Sequence, residues 1–204
     1  MTADFFKTAA LALGIGTVGV AGGYMYKDTA DKTDEYSRVG VENYIDADIS
    51  KVDTWFLHHT AGGDLSQAAL YHTVSKEFGG HEWDGIAYSY GWEDNGSKGD
   101  YYLVNTRPID TKGNQAAKNN TRSRGAVVAG NFDELEPTED LLLEIETWLY
   151  ATLKLYPKVT SFQPHNKNPH SNTACPGSKL EKAVKKRGLF FTSRSEIQWF
   201  IKRQ

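Results

Sequence analysis

The chain has 204 residues, enough for one domain of ordinary size with extensions and for a single sizeable core. A formal net charge of −3 leaves no basic footprint for a nucleic-acid partner. The one cysteine, Cys175, excludes an intrachain disulfide in any compartment.

Residues 1–27 stand apart from the rest. From Thr8 to Tyr26 there is no charge, and the run is apolar but interrupted by Gly14, Gly16, Gly19, Gly22 and Gly23. Its length is near the lower limit for a membrane-spanning helix. We read it as a transmembrane or signal-anchor segment in preference to a cleaved signal peptide or a buried helix, because a single Lys7 precedes it and no clean A-x-A site follows. Lys7 before the run and Asp28, Asp31, Asp34 and Glu35 after it put the N-terminus inside and the domain on the outer side of the membrane. Residues 28–50 read as a polar linker, 51–190 as the domain, and 191–204 as a short closing helix.

Within the domain, strand and helix signals alternate, which predicts an α/β (α+β) fold with a mixed central sheet flanked by helices. Val52 to His59 reads as a buried strand ending in two histidines. Asp64 and Ser66 suit the start of a helix running to Phe78, with Leu70, Val74 and Phe78 on its apolar stripe. Ile86 to Trp92 follows as a strand in which Ile86, Tyr88 and Tyr90 share a face. Strands are also expected at Tyr101 to Arg107 and from Gly125. The clearest helix is capped by Thr138, keeps a 3.6-residue apolar period through Leu141, Ile145, Trp148, Leu149 and Leu153, and stops at Pro157. Another runs from near Ser178 to Gly188, and Ser193 to Glu196 is a capping box for the last. Thr160 to Gly177 has no period.

That aperiodic stretch holds His165, His170 and Cys175, while His58 and His59 end the first strand. Two His and one Cys make a three-ligand set that leaves a fourth position open, as in catalytic zinc sites. Neighbours on a strand point to opposite faces, so only one of His58 and His59 reaches a shared metal. On residues alone, a zinc site and a set of core and loop histidines account for the pattern equally well.

Four blocks then carry a resemblance: FLHHTAGG, WDGIAYSY, VVAGNFDELEPTEDLLLEIETWL and HNKNPHSNTACPG. In this order and spacing they resemble the type 2 N-acetylmuramoyl-L-alanine amidases, a superfamily that includes peptidoglycan recognition proteins and phage endolysins, over roughly residues 52 to 187. The resemblance implies zinc as cofactor, with His58, His165 and Cys175 as its ligands. His165 is preferred to His170 because the family's second ligand sits eight or ten residues before the third. It further implies that Tyr88 faces the reacting water and that Thr173 stands near the carbonyl under attack. His72, His59 and His170 are assigned to the substrate side, although His59 is also expected to pack across the strand from His58.

The implied activity is hydrolysis of the amide bond between N-acetylmuramic acid and L-alanine in peptidoglycan. Some relatives carry a glutamate base where this chain has Val127. The alternatives are a peptidoglycan-binding module that does not cut and a membrane-anchored phage particle protein with a wall-degrading domain. Relatives that only bind have typically lost the Cys ligand, which is present here.

Overall fold

The computed structural model of the protein describes residues 44–96 and 99–204. The apolar N-terminal segment and most of the expected linker lie outside the described residues. Among the described residues, no helix is long and apolar enough to cross a membrane.

Five strands form one mixed sheet: β1 (Thr54–His59), β2 (Tyr90–Asp94), β3 (Tyr101–Asn105), β4 (Ser123–Val128) and β5 (Ser161–Pro164), in the order β3-β2-β4-β1-β5. β1 lies parallel to both β4 and β5, and β2 is parallel to β4. Only the edge pair β2–β3 is antiparallel. The three central strands therefore run the same way, and their carboxyl ends open on one side of the sheet.

Four helices cover the sheet: α1 (Leu65–Thr73), α2 (Glu139–Leu155), α3 (Ser178–Lys186) and α4 (Arg194–Arg203). The alternation of β1 sends Trp55 and Leu57 to one face, where they join Tyr90, Trp92, Ala126 and Val128 under α2, α3 and α4. Trp148 of α2 is the centre of this core, meeting Trp55 and Trp92 edge-on at centroid distances of 5.1 and 5.2 Å. The opposite face carries a smaller cluster of Val104 and Val127 with Ile86, Ala129 and, from α1, Leu65 and Ala69.

Local signals set the helix ends. Thr138 accepts the amide of Leu141 and starts α2, with Glu139 and Asp140 at its positive end. Ser193 and Glu196 form a reciprocal capping box at α4. Residues 44–51 are bound to the domain instead of trailing from it: Ile45 accepts the amide of Lys112, and the Arg107 guanidinium lies 4.2 Å over the Tyr44 ring.

Three expectations are corrected. The helix expected to reach Phe78 ends at Thr73, and Leu70 and Phe78 are 56% and 82% exposed. The buried stripe is instead Leu65, Ala69 and His72, which satisfies the same helical period. Tyr88 and Tyr90 do not share a face, for Tyr88 packs with the α1 cluster and Tyr90 with the α2 core. The ladder is irregular between them: the Ser89 carbonyl accepts the amides of both Thr106 and Arg107, a bulge that re-aims neighbouring side chains. Finally, the stretch from Thr160 is not wholly irregular, since Ser161–Pro164 is strand β5.

Candidate metal centre and active site

The sheet register builds the site. Leu57 of β1 pairs with Pro164 of β5, so the next residues, His58 and His165, come side by side at the carboxyl ends of parallel strands. Their ring centroids are 4.3 Å apart. After a 3-10 turn at His165–Lys167 the chain loops out and returns, tied by the Asn166 amide to the Cys175 carbonyl at 2.9 Å. The return brings Cys175 Sγ to 3.5 Å from His58 Nδ1. One ligand atom from each of His58, His165 and Cys175 lies within 4.8 Å of the others. Parallel strands present ligand sites at their carboxyl ends, and this site follows that rule.

The donor set fits zinc. With Zn–N near 2.0–2.1 Å and Zn–S near 2.3 Å, tetrahedral geometry separates a nitrogen and a sulfur ligand by about 3.5 Å. The observed Nδ1–Sγ distance is 3.5 Å. His58 Nε2 is engaged by Gln115 Oε1 at 2.8 Å, leaving Nδ1 for the metal. His165 Nε2 is engaged by Ser171 Oγ at 3.0 Å, so its Nδ1 is likewise left over. The surroundings penalise protons and charge in the direction a metal would relieve. Burial, and then His165, hold the His58 imidazole well below the usual range, and burial takes His165 down to about 4. Burial pushes the Cys175 thiol up to about 12. Two neutral imidazoles and a thiol that ionises only against a cation are what a divalent metal requires.

Tyr88 packs against His58, ring to ring at 4.8 Å. Burial, and then Cys175, raise its phenol pKa, so the O–H stays protonated at neutral pH. Gly125 of β4 makes room for it: a Cβ there would sit 3.0 Å from Tyr88 Cδ1 and 2.8 Å from Gln115 Cγ. Thr173 Oγ1 accepts the Cys175 amide at 3.1 Å, which leaves its own proton to donate. Val127 pairs in register with His58 and is fully buried, so the position that holds a glutamate in some relatives is apolar here.

The three further histidines expected at the site from the sequence part company with the cluster. His72 is buried on α1, its Nδ1 accepting the Ala87 amide at 3.2 Å and its ring 5.5 Å from that of Tyr88. It props the segment that carries Tyr88. His59 lies on the far face, as strand alternation requires, where its Nδ1 accepts the Phe132 amide at 3.2 Å. His170 is exposed on the loop, its amide donating to Asn168 Oδ1 at 3.3 Å. Gln115, buried against His58, had no sequence signal, because it lies in an aperiodic loop and amides carry no ligand pattern.

No family model and no curated protein matches the chain. Solved structures do. The endolysin N-acetylmuramoyl-L-alanine amidase LysCS from Clostridium intestinale aligns over 72% of this chain and 93% of its own, with 22% identity and a TM-score of 0.54. This chain has the amidase and peptidoglycan-recognition-protein fold. Bumblebee PGRP-SA superposes over 75% of this chain and 91% of its own, at 21% identity and a TM-score of 0.59. Peptidoglycan recognition protein-LE, solved with tracheal cytotoxin, a monomeric diaminopimelic acid-type peptidoglycan, covers 75% of this chain and 89% of its own at 18% identity, with a TM-score of 0.60. The amidase fold is thus shared by an enzyme and by recognition proteins, and the side chains of the site carry the functional argument.

Proposed function

We propose that the protein is a zinc hydrolase that cuts the amide bond between N-acetylmuramic acid and L-alanine in peptidoglycan. The observation that carries this reading is the convergence of His58, His165 and Cys175 beside Tyr88 at the carboxyl ends of β1 and β5. A module that only binds needs no three-ligand group with an open side.

Zinc held by these three residues would supply Lewis acidity and activate water near neutral pH. The protein supplies the rest. His58 and His165 are held neutral by burial, ready to ligate without first losing a proton. The Tyr88 O–H, protonated and fixed against His58, orients water or substrate at the open side. The Thr173 hydroxyl, anchored by the Cys175 amide, donates to the oxygen of the tetrahedral transition state. The apolar run from Thr8 to Tyr26 supports a domain held or exported on the outer side of the membrane, where its polymer lies.

Two measurements on the purified protein test this. Elemental analysis is expected to find one zinc per chain. Mass spectrometry of a muramyl peptide after incubation is expected to show a free peptide beginning with alanine. Tight binding of the muramyl peptide without cleavage would replace the enzyme by a recognition module.

A further inference from the structure

A continuous run of hydrogen bonds joins the two histidines on the ring nitrogens that do not face Cys175. Gln115 is buried, and its Oε1 faces His58 Nε2 at 2.8 Å. Its Nε2 donates to Ser123 Oγ at 2.7 Å, and Ser123 Oγ donates in turn to the Asn119 carbonyl at 2.8 Å. The direction of this run is fixed at its far end. A backbone carbonyl only accepts, so the Ser123 proton is committed to Asn119 and the Ser123 lone pairs face Gln115. The Gln115 amide must then turn its NH2 to Ser123 and its carbonyl oxygen to His58. That oxygen only accepts, so His58 carries its proton on Nε2 and keeps Nδ1 bare toward Cys175.

The same anchor reaches the second histidine. Asn119 Nδ2 donates to Asn168 Oδ1 at 2.8 Å, Asn168 Nδ2 donates to Ser171 Oγ at 2.8 Å, and Ser171 Oγ lies 3.0 Å from His165 Nε2. Asn168 is itself buried and also holds the Ala117 carbonyl at 3.2 Å. Asn119 therefore stands at the junction of two arms, one ending on each imidazole.

We propose that Gln115 is a positioning residue for His58, holding it in the Nε2–H tautomer through a directional relay anchored at Asn119, and that the same anchor sets His165 through Asn168 and Ser171. This rests on the zinc reading above and adds to it the residues that pre-set the ligands. Groups that orient a metal-bound histidine typically carry 10- to 100-fold in metal affinity. The loop between β3 and β4 thus contributes to the site through the ligands it orients.

The test uses Gln115→Met, which keeps the volume and removes both hydrogen bonds, with Gln115→Glu and Ser123→Ala beside it. Two readouts are taken: zinc affinity by chelator competition, and the His58 tautomer by ¹⁵N NMR of the metal-free protein. Gln115→Met is expected to weaken zinc by about 10- to 100-fold and to give His58 a mixture of tautomers. Gln115→Glu, which still offers an oxygen to Nε2, is expected to keep the single tautomer. Ser123→Ala frees the amide to turn over and is expected to show the mixture as well, which decides the matter if Gln115→Met does not fold. Gln115→Met with unchanged zinc affinity and a single Nε2–H tautomer would overturn the proposal, as would a single tautomer in Ser123→Ala. If the wild-type protein bound no zinc, the metal reading would fall, and the tautomer measurement would still decide the role of Gln115.

Discussion

Arg107 grips Asp84 with both ends of its guanidinium, Nη1 to Oδ1 at 3.0 Å and Nη2 to Oδ2 at 2.6 Å. The Arg107 side chain is fully buried, and it also donates to the Ile86 carbonyl and the Thr111 hydroxyl. This clamp fastens the segment that leads into Tyr88. Removing one partner of a buried pair leaves the other charge uncompensated, which typically costs 3–5 kcal/mol. Asp84→Ala is expected to lose roughly that much, a fall in Tm on the order of 10 °C in a chain of this size. A change under 2 °C in a thermal melt would show that the clamp is not structural.

Tyr88→Phe removes the hydroxyl beside His58 and leaves the ring contact in place. Zinc content and stability are expected to match the wild type, while kcat falls about 10²- to 10³-fold. Steady-state kinetics on a muramyl peptide check this. A kcat within threefold of wild type would remove Tyr88 from the chemistry.

Gly177 follows the Cys175–Pro176 pair with φ +90°, and a Cβ there would meet the Phe132 carbonyl carbon at 2.6 Å and His59 Nδ1 at 2.9 Å. Backbone cannot move aside as a flexible side chain does. Gly177→Ala is expected to cost about 2–4 kcal/mol from left-handed strain and overpacking together. Because the cost falls on the return of the loop that carries Cys175, zinc affinity should fall with stability in chelator competition.

Burial, then His81 and Arg107, hold the His72 imidazole down to about 4. In the unfolded chain it takes up its proton near 6.5. The unfolded state therefore binds the extra proton between these values, and stability rises with pH across that window. The contribution is full above about pH 6.5 and is lost progressively as pH falls toward 4, on the order of 3 kcal/mol in total. Chemical denaturation of wild type and His72→Gln between pH 4 and 7 checks this, with the variant expected to show the shallower slope.

The parts of the fold that were legible in the sequence are those fixed by local chemistry. The Thr138 cap and the period of α2, the capping box at Ser193, and the alternation that separates His58 from His59 all depend on neighbours in the chain. What failed depended on tertiary context. Two stripes of α1 satisfy the helical period, and only the position of the sheet selects Leu65, Ala69 and His72 over Leu70 and Val74. β5 is four residues long and ends in Pro164, too short for a period to show. Of the site, the residues alone leave a zinc centre and a set of core and loop histidines equal, and the family resemblance points to His58, His165 and Cys175. The register of β1 and β5 brings the two histidines together, and the returning loop adds Cys175. Gln115, Asn119 and Asn168 were invisible, because a polar amide in a loop has no signature until its partner is seen.

The most direct test of the zinc amidase reading is digestion of purified peptidoglycan by the wild-type protein and by His165→Ala, each with and without a chelator. New alanine amino termini and new reducing sugar ends are scored together. Alanine termini are expected from the wild type alone, abolished by chelator and restored by added zinc, with no reducing ends. Alanine termini that persist in chelator or in His165→Ala, or reducing ends in their place, would contradict it.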